Sequence, residues 1–228
     1  MKNDLAGRHI LVTSGPTRAD IDAVRYVSNR SSGRLGCRIA LEALRRGAQV
    51  TLMAGLHSAR PDPKELSEEE GTRLRVREVE TVADLMAALK EELMRPEPPH
   101  AVLHAMAVLD YVPARPSAEK TPSGREEWVV RLVRTPKVIR HVKEWAPGAL
   151  LVEFKLEVGR SEAELREAAL ASVRANDADL VVANDLERIR DEVHPALILA
   201  PDGQALARPS TKAEIARALC DLLAERLP

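Results

Sequence analysis

Short aliphatic runs that stop at glycine or proline alternate along the chain with segments whose apolar residues recur at helical spacing. His9-Ile10-Leu11-Val12-Thr13 runs into Ser14-Gly15-Pro16 and predicts a buried first strand. From Gly33-Arg34-Leu35-Gly36 onward, Leu35, Ile39, Ala43 and Leu44 mark a helix packed by one face, which Gly47 closes. Residues 49–55 repeat the strand-then-glycine pattern, so the opening third is a βαβ unit with parallel strands. Next the pattern predicts a solvated, proline-rich and acidic loop over 57–72, a strand over 74–79, and a helix behind the Thr81/Asp84 pair. Residues 101–108, small or apolar throughout, read as a strand covered on both faces. Further strands are predicted at 150–154, 180–183 and 196–199, and capping boxes at Ser161/Glu164 and Thr211/Glu214 start two more helices. Between Arg115 and Thr135 the rhythm breaks, and residues 128–133 alternate like a projecting hairpin strand. With no internal repeat and no linker, residues 1–228 form a single α/β domain. Its expected core is a Rossmann-like open, mostly parallel sheet with helices on both faces.

Of the 228 residues, 45% are hydrophobic and 30% charged, a globular balance. Lysine and arginine total 34 against 35 acidic residues, a formal net charge of -1, so the chain as a whole has no pull toward nucleic acid or anionic lipid. Aromatic residues make up only 2%, too few for a stacking platform on single strands. No nucleic-acid or membrane partner is therefore expected: no apolar run approaches the roughly 20 residues of a span, and Met1-Lys2-Asn3-Asp4 leads into no signal-peptide core. Cys37 and Cys220 can make neither a disulfide framework nor a four-cysteine zinc site, which fits a reducing cytoplasm.

Ligands of open α/β sheets bind beyond the C-terminal ends of the strands. Here the first strand and first helix are joined by a long polar connection that ends in Ser31, Ser32 and Gly33. Backbone N–H groups and the helix dipole favour an anion at such an entrance, although Ser32 as a plain helix cap explains the same residues. Neither G-x-x-x-x-G-K-[ST] nor G-x-G-x-x-G occurs.

Gly15-Pro16-Thr17-Arg18, Ile21-Asp22, Val24-Arg25, Asn29, Ser31-Ser32-Gly33 and Gly36 resemble the signature of the phosphopantothenate–cysteine ligases, also called phosphopantothenoylcysteine synthetases. The likeness continues through Ala107-Val108-Leu109-Asp110-Tyr111, Glu119-Lys120, Phe154-Lys155-Leu156-Glu157, Val182-Ala183-Asn184-Asp185 and Lys212-x-x-Ile215-Ala216, so it covers essentially the whole chain. The chain is similar to the stand-alone form. In many bacteria the ligase is instead the C-terminal half of a fusion with an FMN-dependent decarboxylase, so no FMN is expected here and the decarboxylase would be a separate partner.

The resemblance implies a two-step reaction. The carboxylate of 4′-phosphopantothenate attacks a nucleoside triphosphate to give an acyl-nucleotide, and the amine of L-cysteine then displaces the nucleotide. Mg²⁺ accompanies the nucleotide, with CTP favoured slightly over ATP. By the same resemblance Lys120 serves the first half-reaction and Asn29 the second. Gly15, Ser31, Ser32, Gly33, Asp110 and Phe154 fall to the nucleotide, Arg25, Asn184 and Asp185 to the substrate site, and no metal ligand is assigned. It also implies a homodimer, with the 128–133 hairpin in the contact. Two departures stand out: Ala19 follows Gly-Pro-Thr-Arg where bacterial relatives carry an acidic residue, and the helix after Phe154 offers Arg166 and Arg174 but none of the lysines found there. Two competing readings remain on fold alone, an NAD(P)-dependent oxidoreductase and a non-catalytic nucleotide-binding module.

Overall fold

A computed structural model describes residues 2–124 and 126–227. In chain order, β1 (His9–Ser14) leads through a small hairpin, β2 (Arg18–Asp20) and β3 (Tyr26–Ser28), into α1 (Arg34–Arg45) and β4 (Gln49–Gly55). α2 (Glu68–Thr72), β5 (Leu74–Val79), α3 (Val82–Leu93) and β6 (Ala101–His104) complete the first half. A ribbon of β7 (Tyr111–Pro113) and β8 (Leu132–Arg134) precedes α4 (Arg140–Trp145), β9 (Leu150–Glu157), α5 (Glu162–Asn176) and β10 (Leu180–Asp185). β11 (Ala196–Leu199), β12 (Ala205–Ala207) and α6 (Lys212–Arg226) end the fold.

Eight strands form one sheet in the order β12-β11-β10-β9-β6-β1-β4-β5. The six from β5 to β10 run parallel, whereas β11 and β12 add an antiparallel edge. The chain winds outward from β1 through β4 to β5 and then returns to β6 on the other side of β1. That reversal opens a crevice above the C-terminal ends of β1 and β6.

Strand alternation divides the core between two faces. Ile10, Val12, Leu103, Val152 and Val182 point to the side covered by α1 and α6. Leu11, Val102 and Leu151 point to α3 and α4, and Val181 and Ala183 to α5 on that same side. The helices begin where their caps place them. Thr81 with Asp84 and Ser161 with Glu164 form complete capping boxes at α3 and α5. At α6 the box is only half formed: Thr211 accepts from the Glu214 amide, but the Glu214 carboxylate takes the Ser210 amide instead.

Several stretches differ from the sequence reading. The 57–72 segment carries a 3-10 turn at Pro63–Glu65 and the helix α2, which Ser67 and Glu70 close with a capping box of their own. β6 stops at His104, four residues short of the apolar run. The chain lifts out of the sheet there, and Met106 and Leu109 pack on the α3/α4 side instead. Of residues 128–133 only the last two belong to a strand, because β8 pairs antiparallel with β7 as Tyr111↔Arg134 to Pro113↔Leu132, and beyond it only the Arg131 carbonyl, which accepts the Ala114 amide at 2.9 Å, continues the contact. The β2–β3 hairpin, α4 and β12 have no counterpart in the predicted elements.

Candidate functional site

The crevice is a cleft of about 360 Å³. One wall is the entrance of α1, formed by Ser31, Ser32, Gly33, Leu35 and Gly36; Phe154, Leu156 and Asn184 come from the ends of β9 and β10. Gly33 precedes α1 with φ of 72° and, as a glycine, supplies no side-chain cap to the helix. Of its first-turn amides only that of Arg34 finds a side-chain acceptor, the Ser32 hydroxyl at 3.5 Å, so the others lack a side-chain cap. The Ser14 hydroxyl donates to the Gly33 carbonyl at 2.9 Å and fixes this turn to the end of β1.

Gly15 and Gly33 both take a positive φ and crowd Ser58. A methyl group on Gly15 would lie 1.8 Å from the Ser58 hydroxyl, and one on Gly33 2.8 Å from its Cβ. Only glycine meets both the left-handed backbone and the close approach. Gly15 thus shapes the cleft from beneath without lining it.

Asn29 crosses from β3 to the lifted chain after β6. Its side-chain amide donates to the carbonyls of Ala107 at 3.2 Å and Val108 at 3.1 Å, and Ala107 itself lines the cleft. Asp110, a few residues on, is exposed outside the cleft lining and takes the Lys137 ammonium at 3.0 Å.

Arg25 and Lys120 stand outside the cleft lining, on a second structure built around Asp22. The Asp22 side chain is wholly buried, and its carboxylate accepts the amides of Val24 and Arg25 at 2.9 Å and of Thr121 at 3.1 Å. Burial pushes this carboxyl up, but the amide hydrogen bonds and the Arg25 charge outweigh it and hold the group below the usual range. Arg25 also donates to the Thr121 carbonyl at 3.2 Å and covers the Trp128 ring at 4.7 Å. The loop that presents the exposed Lys120 is therefore pinned, at its next residue, to the β2–β3 hairpin.

Asn184 is buried at the cleft floor, whereas Asp185 faces away from it. The Asp185 carboxylate accepts from the amides of Glu187, Gly159 and Arg160 at 3.0 to 3.1 Å, tying the β9–α5 connection to the end of β10. Those same amides hold its pKa low. The structure thus gathers Ser31, Ser32, Gly33, Phe154 and Asn184 around one cavity, sets Gly15 and Asn29 immediately behind it, and gives Asp185 a bracing position. Arg166 of α5 spends its guanidinium on the Gly203 carbonyl and does not line the cleft. Among the lining residues not singled out from the sequence are His194 and Lys212; the second sits in a quoted motif but reads as an ordinary helix-start lysine until its burial is seen. Burial raises the pKa of both cysteine thiols, so neither is poised as a nucleophile. No helix among the described residues is long and apolar enough to cross a membrane.

Residues 5–227 match the family model described as the DNA/pantothenate metabolism flavoprotein C-terminal domain. The chain is 38% identical over 223 residues to the coenzyme A biosynthesis bifunctional protein CoaBC of Thermococcus kodakarensis, covering 98% of this chain and 52% of that protein. The chain spans about half the length of the curated relatives it matches. Among solved structures, the DNA/pantothenate metabolism flavoprotein from Streptococcus pneumoniae superposes with a TM-score of 0.85 at 32% identity, covering 96% of this chain and 99% of that one. The C-terminal domain of a CoaBC protein gives 0.77 at 27% identity, covering 98% and 97%.

Proposed function

The chain belongs to the DNA/pantothenate metabolism flavoprotein C-terminal domain family, and on that premise we propose that it is a cytoplasmic ligase joining 4′-phosphopantothenate to L-cysteine in coenzyme A biosynthesis. The observation that carries this reading is the convergence of Ser31-Ser32-Gly33, Asn184 and Phe154 on one crevice, with Asn29 behind it. Uncapped amides at the start of α1 suit a phosphate chain, and the Phe154 ring offers an apolar surface to a base. The family match and the absence of G-x-G-x-x-G both turn the reading away from an NAD(P)-dependent oxidoreductase.

In the first step a carboxylate oxygen of phosphopantothenate bonds to the α-phosphorus of CTP or ATP, and pyrophosphate leaves with the electrons of the broken P–O bond. In the second, the cysteine amine bonds to the acyl carbon, the nucleoside monophosphate leaves, and the amine gives up a proton. Both steps bring negative groups together, which cationic and N–H donors offset. Lys120 supplies such a cation, and Asn29, by turning one N–H away from the Ala107 and Val108 carbonyls, would supply a donor that changes no charge. Among the described residues no three His, Cys, Asp or Glu side chains come together as a metal site. Magnesium brought in with the nucleotide would neutralise charge on its phosphates. Incubating the protein with phosphopantothenate, cysteine, Mg²⁺ and either nucleotide should release pyrophosphate and form the amide. No product with either nucleotide would refute the assignment.

A homodimer completes this proposal. Val24, Tyr26, Tyr111, Leu132 and Val133 are exposed on the two small ribbons, and Val129 is 77% exposed between them. So many exposed apolar side chains on these short ribbons favour a contact over a solvated edge. Sedimentation should show a dimer for the natural chain and a monomer for Val129→Lys with Leu132→Lys. A monomeric natural chain would contradict it.

A further inference from the structure

The cleft contains a cation that the residues considered so far leave unused. Lys212, the first residue of α6, is only 6% exposed and lines the cleft. No carboxylate lies within 4.0 Å of its ammonium among the described residues, and no hydrogen-bond acceptor is found for it there. The stem is buried while the ammonium keeps contact with the open cleft, so its charge faces the space a ligand would fill and points to a ligand that is negatively charged. Beside it stands His194, 9% exposed, whose Nδ1 is buried and has no hydrogen-bond partner. The two are fixed by backbone: Val193 bridges Thr211, the His194 amide donates to Ser210 at 2.8 Å, and the Lys212 amide donates to Glu192 at 3.2 Å. Burial and the Lys212 charge bring the His194 pKa down to about 4, so its ring is neutral at pH 7 and its free nitrogen adds no second charge. Arg30 and Arg34 also line the cleft, against the single carboxylate of Asp191, which leaves an excess of positive charge there.

We infer that Lys212 and His194 form a phosphate-recognition pair for the nucleoside triphosphate, the ammonium meeting the phosphate chain and the free imidazole nitrogen adding a hydrogen bond to the same ligand. This rests on the nucleotide-dependent reading above and supplies the buried cation that α5, with Arg166 engaged at Gly203, does not provide.

Equilibrium binding without phosphopantothenate or cysteine tests it, using CTP, ATP and inorganic tripolyphosphate as separate probes. Lys212→Met should weaken both nucleotides and tripolyphosphate by about 10- to 100-fold, as expected for a lost charge-assisted hydrogen bond. Its melting temperature without ligand should be little changed, because the ammonium has no carboxylate partner in the protein to lose. Lys212→Arg should keep binding within about fivefold, since it keeps the charge. Unchanged nucleotide binding in Lys212→Met overturns the inference. So does weakened nucleotide binding with tripolyphosphate unaffected, and so does a Lys212→Met protein that melts lower or fails to fold without ligand, which would make the lysine structural. A natural chain that binds nucleotide but forms no amide would refute the ligase reading and leave this assignment to stand or fall on binding.

Discussion

Replacing Lys120 with glutamine should lower the rate of pyrophosphate release about 100-fold while moving the melting temperature by no more than about one degree. The rate effect follows from removing a cation where a carboxylate must approach a polyphosphate. The stability expectation follows from the side chain's position, since Lys120 is exposed and its loop is held through the Thr121 backbone rather than through the lysine itself. Stopped-assay pyrophosphate release and a thermal melt on the same preparation decide the matter. A variant with the natural rate would reduce Lys120 to a solvated loop residue. A variant that melts much lower would make it part of the clamp around Asp22.

Acid should destabilise this protein well before its carboxylates are protonated. His9, His104 and His194 are largely withdrawn from water, and each has its pKa lowered from 6.5 to about 4. Burial is the leading cause at all three, reinforced by Arg75 and Arg95 at His9, by Lys137 at His104 and by Lys212 at His194. His104 also shares a hydrogen bond with the Thr13 hydroxyl at 3.0 Å. Between pH 6.5 and 4 the unfolded chain binds these protons and the folded one does not. Stability is therefore intact above pH 6.5 and falls as the pH drops through that window. At pH 5 each histidine costs about 2 kcal/mol, so together they remove about 6 kcal/mol, a large part of the roughly 5–15 kcal/mol typical of a domain. Urea titrations at pH 7.5, 6 and 5 should show the midpoint falling at each step. A midpoint that stays level from pH 7.5 to 5 would mean that these rings titrate normally in the folded state.

The parallel sheet was legible because each of its central strands is an aliphatic run bounded by a turn residue, and the helices between them carry caps readable as residue pairs. Ser67 and Glu70 offered the same signal for α2, in a segment whose proline and acid content pointed to a loop. The 101–108 run misleads for a physical reason. Its apolar character continues past His104 because Met106 and Leu109 fill the core beyond the sheet, and composition does not distinguish a strand from a chain buried just above one. β2 and β3 are three residues long, with charged and polar ends, too short for alternation to show. Of the site, the α1 entrance and the residues closing β9 and β10 could be placed from strand–helix order alone. The roles of Asn29 and Lys120 came from resemblance. Lys212 and His194 were hidden, because burial of a lysine at a helix start depends on what packs around it and not on its neighbours in sequence.

The clamp around Asp22 has a consequence for the order in which this molecule assembles. The βαβ units form through contacts of moderate sequence separation, whereas the Asp22 carboxylate reaches Thr121 across 99 residues and Asn29 reaches Ala107 and Val108 across 78 and 79. Pairing of β1 with β6 across 91 residues already draws those stretches together, so these polar contacts form once the sheet exists and, lying outside its ladders, they release before it when the structure loosens. The two halves of the crevice are thus a late-closing seam in a fold that can stand without them. A ligand spanning that seam would bind only the closed form and shift the balance toward it, so the occupied protein would resist local opening that the empty one permits.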